Sequence, residues 1–535
     1  MENCIAVLLD TVSIQQYIFQ SNKLRENIGA SYLVDEIFRS LLVSALNQSG
    51  SGLPKDSLEH WRFAENLAPL CGDGEPWVEI GYIGGGNALL FFSRAEQAEA
   101  FVRQWTTLLL LHAPGLQTAV ALEKNFPCSI DSIRFRRAME QLFQQLRKNK
   151  GLFHPITQIP GHGITGECSR SERSAEIFNN IVKNFVSAGT EAKIRAAKES
   201  NERLTSDYLE GKDNTYCFPL ELEDLGGVHG EDSHIAIVHI DGNGVGRLIQ
   251  EAADLKELRK CSVVVDSAVK NAFAHLVDTI TEPKQFSQLM KDLGIPPAKG
   301  DVASTLPIRP VILGGDDMTF VCDGKLGLYF AREIVAQFEK TTVKGKKLSA
   351  CAGVAIIKTK YPFYRGYQLA EELCANAKKA ARDNNEDMPG SYLDFHVSLG
   401  SISGSLQQVR ETGCTNMEMT NNPGNLLIRP YVLSGEDDPE RLRFSEMVRA
   451  TAALANWPET KLNDLREALY RPEAERKSFV ARLKYRKLEL PEISGGKYGI
   501  HLFDNSRTPY FDLLEIKRFY PESVLRREGR NNDTH

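Results

Sequence analysis

Apolar runs that end on an acid and lead into a helical stretch occur twice along the chain. Ile5 to Leu9 is wholly apolar and stops at Asp10, the pattern of a buried strand with an acid at its tip. Residues 14 to 46 carry apolar side chains at Ile14, Tyr17, Ile18, Leu24, Ile28, Tyr32, Leu33, Ile37 and Leu41, which predicts helix. Val78 to Ile83, the turn Gly84-Gly85-Gly86-Asn87 and Ala88 to Phe92 predict a hairpin, because Gly and Asn supply the positive φ of a tight turn. A helix (Ala95 to Leu111), a strand (Thr118 to Leu122) and a basic helix (131–149) follow.

The second occurrence starts at Ile235 to Ile240, which stops at Asp241. A helical stretch runs from about Ala252 to Ile280. Pro310 to Leu313, Gly314-Gly315-Asp316-Asp317 and Met318 to Cys322 predict another hairpin. A helix (Leu326 to Lys340), a strand (Ser349 to Ile357) and a helix (Tyr367 to Ala381) complete it. Asp10 lies 74 positions before Gly84, and Asp241 lies 73 before Gly314. Equal spacing and equal element order predict a duplication of an α+β, ferredoxin-like unit, an antiparallel sheet with helices on one face. The copies fall near 1–150 and 230–400. Between them, 151–229 is loop-rich around Gly161 to Gly166 and then helical and charged through about Ser200. After 400, Ser401 to Asn425 reads as an irregular connection, 440–487 as helical, and the tail from Arg526 as polar and disordered.

Composition changes this picture little. The chain has 535 residues, 42% hydrophobic and 25% charged, with net charge −6, so its total charge does not advertise a nucleic-acid binder. The N-terminus is a poor signal peptide, and apolar runs such as Leu108 to Leu111 are too short to span a bilayer. Ten scattered cysteines without a Cys-x-x-Cys pair argue against a disulfide framework or an ordinary zinc site. These features predict a cytoplasmic protein, off the membrane, with reduced thiols.

The chemistry sits in the second copy. In this fold the first strand neighbours the hairpin, which would bring Asp241 beside Asp316 and Asp317. Clustered carboxylates repel and want a cation, and hard oxygen ligands beside phosphate select Mg²⁺ or Mn²⁺. Two such ions about 3.5–4 Å apart suit attack by a 3′-hydroxyl with loss of pyrophosphate. Gly314 and Gly315 let the turn approach a nucleotide, and Gly242-Asn243-Gly244 offers backbone N–H groups to a triphosphate at a helix start. Lys378 or Lys379 supplies a point charge for that triphosphate. A single Gly-Gly-Asp-Asp is often only a hairpin turn; both motifs in this order, flanked by apolar strands, favour a metal site.

Both repeats resemble the large palm-domain subunit of type III CRISPR effector complexes, which makes cyclic oligoadenylate from ATP. The opening motif is Asp10 to Phe19 with Leu24-Arg25 and Gly29-Ala30-Ser31-Tyr32-Leu33, and the degenerate hairpin is Tyr82 to Asn87. The active motifs are His239-Ile240-Asp241-Gly242-Asn243-Gly244 and Gly314 to Asp317, with Ser349 to Ile356 and Ala377-Lys378 behind them. The resemblance implies two palm domains, a helical segment between them and a mostly helical C-terminal domain at 401–535. It implies metal ligation by Asp241, Asp316, Asp317 and the Ile240 carbonyl, and triphosphate contact by Lys378 in preference to Lys379. The first palm, with Gly86 and Asn87 where acids would stand, would be non-catalytic. It would either hold a second ATP or the growing product through Gly85 and Gly86, or serve only as structure.

Two family features are missing from the pattern. The sequence has 11 histidines but no His-Asp dipeptide, and its first palm opens at residue 5, so a metal-dependent DNase of the family's type is not expected. Cys168 and Cys217 stand isolated, against a zinc element between the palms. Basic groups at Arg134, Arg136, Arg137, Arg147, Lys148 and Lys150, at Lys344, Lys346 and Lys347, and over 476–487 would face guide RNA, target RNA or partner subunits, or simply solvent. Two alternatives stay open: a stand-alone cyclase making a cyclic mono- or dinucleotide, and a non-catalytic scaffold subunit.

Overall fold

The computed structural model describes residues 3–50, 78–127, 132–152, 163–212, 215–225, 233–252, 254–295, 303–398, 405–417 and 424–530. The chain forms two compact units that interleave in sequence. The first comprises Met1–Glu210, Gly244–Lys270 and Val311–Asp317; the second comprises Gly211–Asn243, Asn271–Pro310 and Met318–His535.

The first unit is built on strands β1 (Asn3–Val12), β2 (Val78–Gly84), β3 (Asn87–Phe92) and β4 (Gln117–Pro127), in the order β2-β3-β1-β4. This is the ferredoxin-like order, and β1 pairs antiparallel with both β3 and β4. Ala6, Val7, Leu8 and Leu9 are all fully buried, so β1 is covered on both faces. Helices therefore lie on two faces, not on the one expected. Phe92 packs on Phe101 of the helix Ala95–His112, while Phe91 and Phe126 lead to Phe135 of the helix Ser132–Lys150. The predicted 14–46 helix is three pieces: Ile14–Phe19, α1 (Leu24–Glu36) and Ser40–Gln48. Helix α2 (Ala188–Leu209), opened by a Ser187 cap, lies so close to α1 that a Cβ on Gly29 would meet the Lys193 carbonyl at 1.7 Å. Helix α3 (Leu255–Thr281) contributes its first part to this unit, with Leu258 in the core that holds Phe126 and Leu142.

The second sheet has six strands: β5 (His234–Gly242), β6 (Ile308–Gly314), β7 (Asp317–Asp323), β8 (Ala350–Lys358), β9 (Ser391–Val397) and β10 (Tyr431–Ser434). Their order is β6-β7-β5-β8-β9-β10. The first four repeat the ferredoxin-like order. Strand β9 adds parallel to β8 and β10 antiparallel to β9, an extension the periodicity did not show. Helix α4 (Gly327–Phe338) packs on one face through Gly327 against Ala236 and Val354. Helix α5 (Phe363–Asn384) packs on the other through Gly366, against Ile237 and Ile357.

Five helices at 444–453, 459–468, 473–485, 510–518 and 522–530 make the C-terminal region mostly helical. The helix at 522–530 replaces the disorder expected from Arg526; residues 531–535 lie outside the described residues. Helix Leu406–Gly413, opened by a Ser405–Gln408 capping box, occupies part of the expected irregular connection, of which 401–404 and 418–423 lie outside the described residues. Arg429 is fully buried and bonded to Asp512, Glu515 and the Phe395 carbonyl, tying the sheet's added edge to the helix at 510–518. Among the described residues no helix is long and apolar enough to cross a membrane.

Candidate functional site

Asp241 ends β5, paired in register with Cys351, and Ile240 pairs with Ala352. Residues 239 and 241 point to the same face of the strand, the one α5 covers. There the His239 ring meets Tyr367 edge-on at 5.9 Å, and its Nδ1 lies 3.0 Å from the Thr319 hydroxyl. Burial pushes the His239 pKa below its ordinary value, against the pull of Asp241. Three turns along α5 from Tyr367, Lys378 sets its Nζ 2.5 Å from Asp241 Oδ2 and donates to the Gly242 carbonyl at 3.0 Å. Lys378 thus neutralises the strand-end acid directly.

Asn243 is committed elsewhere. Its N–H donates to the Ser349 carbonyl at 2.8 Å, and its amide donates to Ser349 Oγ and the Gly390 carbonyl. It braces loops around Asp241. Gly244 follows at φ +70° and opens the short helix Val245–Gln250, with open space where a Cβ would stand.

The Gly314-Gly315-Asp316-Asp317 turn joins β6 and β7, and β7 is the neighbour of β5 in the sheet. Gly315 has φ +64°, a conformation that glycine adopts at little cost. Its N–H donates to Asp266 Oδ1 on α3 at 3.2 Å. A Cβ on Gly315 would meet the Gly85 N and Cα at 3.2 and 3.3 Å, so the two glycine turns touch backbone to backbone. Among the described residues, no three or more carboxylate, His or Cys side chains are gathered as a metal centre.

The first palm keeps part of the same arrangement. Asp10 pairs in register with Asn87, and Lys150 Nζ lies 2.6 Å from Asp10 Oδ2. Burial raises the Asp10 pKa, with Lys150 pulling it down. Gly86 has φ +78°, and a Cβ there would strike Ile14 and Thr11. The Gly86 carbonyl accepts from both the N–H and the hydroxyl of Thr11, which fixes the turn.

Several signals were missed or misread in the sequence. Asp266 lies in a helix with no motif around it. Arg476, expected in a basic patch, is buried, stacks on Phe503 and donates to the Arg471 carbonyl. Cys168 and Cys217 are free thiols beside Thr190 and Thr305 hydroxyls, but Cys4 is disulfide-bonded, so the reduced-thiol reading fails there.

Residues 234–386 match the family model of the Cas10/Cmr2 second palm domain. Comparison with curated proteins finds no match. The crystal structure of a Csm1–Csm4 cassette in complex with AMPPNP aligns with 99% of this chain and 70% of the other, at TM-score 0.51 and 14% identity. The cassette in complex with cA3 aligns with 98% and 70%, at TM-score 0.50 and 14% identity. Against the cassettes with pppApA and cA4, the chain spans 55% of the other chain. The fold of the chain is thus similar to that of Csm1, and residues 234–386 are similar to the Cas10/Cmr2 second palm domain.

Proposed function

We propose that the chain is a metal-dependent nucleotidyltransferase that makes cyclic oligoadenylate from ATP within a type III CRISPR effector assembly. The observation that carries this reading is the position of Asp241 and Gly314 to Asp317 at the ends of neighbouring strands, inside the segment that matches the second palm domain. The organisation we propose is a first palm at 1–150, a linker domain at 151–229, a catalytic palm at 230–400 and a C-terminal domain at 401–535.

The donor set suits a hard divalent cation, being carboxylates with a backbone carbonyl at Ile240. The Lys378 ammonium on Asp241 supports this, because it marks that carboxylate as a place that takes a cation. Asp241, Asp316, Asp317 and the Ile240 carbonyl would hold two Mg²⁺ or Mn²⁺ ions, which when bound lower the pKa of the attacking hydroxyl and offset charge on pyrophosphate. The chain's own part is positioning. Gly314 and Gly315 keep side chains out of the nucleotide's path, Gly242 and Gly244 put no side chain beside the triphosphate, and Asn243 braces that loop. Lys378 moves from Asp241 to the triphosphate. In the transfer a 3′-O–P bond would form at the α-phosphorus, the bond to pyrophosphate would break, and the hydroxyl proton would pass to solvent water. Gly85 and Gly86 of the first palm would seat the acceptor nucleotide. Guide and target RNA would act through partner subunits.

Mass spectrometry of products from mixed triphosphates, with and without RNA, tests this. Cyclic oligoadenylate and pyrophosphate are expected, and both should vanish in Asp316→Ala/Asp317→Ala. Synthesis that survives this double substitution sinks the site; a cyclic mono- or dinucleotide made without RNA favours a stand-alone cyclase.

A further inference from the structure

Helix α3 carries Arg259, Ser262, Asp266 and Lys270 three or four residues apart, hence on one face. Arg259 bonds to the Glu79 carboxylate at 3.2 Å and to the Ile80 carbonyl, both on β2. That ion pair is about nine-tenths buried, so removing either partner would strand a buried charge. One turn on, Ser262 Oγ lies 3.4 Å from where a Cβ on Gly84 would stand. The next turn places Asp266 with Oδ1 accepting the Gly315 N–H and Oδ2 2.6 Å from Lys270 Nζ. One helix face therefore holds strand β2 of the first hairpin and the turn of the second, and both contacts fall within the first compact unit.

We propose that Asp266 is a positioning residue for the Gly-Gly-Asp-Asp turn: it sets the direction of Asp316 and Asp317 through the Gly315 N–H, with Lys270 steadying its carboxylate. The proposal rests on the nucleotidyl-transfer reading and deepens it. Glycines have no side chains with which to anchor a turn, so this one depends on contacts to its backbone. A carboxylate on a backbone N–H is the strong kind of hydrogen bond, roughly twice a neutral one. Aspartate is a poor residue for a helix interior, so its presence at 266 is not explained by the helix itself. Turn placement matters because a displacement of about 1 Å at a reacting centre costs about a hundredfold in rate. Asp266 does not have to touch nucleotide or metal for this role. The same helix face holds β2, so the first palm's hairpin and the catalytic turn share one support.

Two readouts on the full chain test it: hydrogen exchange of the peptide covering 311–318, and steady-state pyrophosphate release from ATP with Mg²⁺. Asp266→Ala should speed exchange at the turn and lower kcat about tenfold or more, with KM for ATP changed far less. Asp266→Asn keeps an acceptor for the Gly315 N–H and should restore protection and most of the rate. Wild-type exchange in Asp266→Ala overturns the proposal, and so does faster exchange with an unchanged kcat. Where Asp266→Ala does not fold, Lys270→Met is the second variant; intermediate exchange and rate support the proposal, and wild-type values of both overturn it. A wild-type chain that releases no pyrophosphate, with or without RNA, overturns the nucleotidyl-transfer reading, while exchange at the turn still decides whether Asp266 holds it.

Discussion

Removing the ammonium from Lys378 should make the nucleotide-free chain a better binder of Mn²⁺ and a worse user of ATP. Lys378 lies 2.5 Å from Asp241 Oδ2 and 3.0 Å from the Gly242 carbonyl, with side-chain exposures of 17% for the lysine and 34% for the aspartate. A cation that takes Asp241 Oδ2 competes with it. Hydrogen bonds to charged groups contribute about 1.5–3 kcal/mol when sheltered, and exposed pairs about 0–1 kcal/mol. At this partial exposure, after discounting for solvent screening, the pair opposes a competing cation by about 1.4 kcal/mol, which is tenfold in affinity. Lys378→Met keeps the aliphatic stem and should tighten Mn²⁺ binding about tenfold by titration calorimetry without nucleotide. The same variant should raise KM for ATP about tenfold or more, because a point charge for the triphosphate is lost. Asp241→Asn serves as the control and should abolish the tightening. Unchanged or weaker Mn²⁺ binding in Lys378→Met would refute the competition, and unchanged KM would refute the lysine's move to the triphosphate.

Stability should fall on acidification below about pH 6.5. Burial and then the Arg429 and Arg410 guanidinium groups push the His396 pKa down to about 3; the unfolded chain thus binds a proton between about 3 and 6.5 that the folded one refuses, a loss of about 2 kcal/mol at pH 5. His396→Gln should flatten that part of the pH profile in urea melts, and an unaltered profile would reject the assignment. Gly353→Ala should cost about 3 kcal/mol or more, since a Cβ would stand 2.0 Å from the Ala370 carbonyl and 2.4 Å from the Cys374 nitrogen; a melting midpoint within a degree of wild type would contradict it. Gly29→Ala should act similarly by prising α1 from α2, with little change expected in Mn²⁺ affinity.

Strands and hairpins were legible where burial alone dictates side-chain type. Strand β1 is buried on both faces, so it reads as an unbroken apolar run from Ile5 to Leu9, and β5 does the same from Ile235 to Val238. The added strand β9 did not read as a strand, because its buried side chains include Ser391, Asp394 and His396. Asp394 is acceptable there because Arg410 pairs with it and the Asn376 amide donates to it, and Arg429 donates to the neighbouring Phe395 carbonyl. Such partners come from other segments, and no local pattern announces them. Arg476 escaped for the same reason, as its aromatic partner Phe503 lies in another segment. The break at Ser13, with φ 53°, and the interruptions that split the 14–46 stretch lack the Gly or Pro that would have signalled them. The acid–lysine pairs differ in kind, because duplication makes them recoverable. Asp10 and Lys150 are 140 positions apart, Asp241 and Lys378 are 137 apart, and each lysine lies on the helix that follows the fourth strand of its copy. Aligning the copies by their strand-end acids would have placed the Lys378-Lys379 pair opposite Lys150 within three residues, without choosing between the two. The first copy has Gly86 and Asn87 at its turn and still carries the pair, which side-chain electrostatics favours: burial raises the Asp10 pKa, and the Lys150 ammonium pulls it back down.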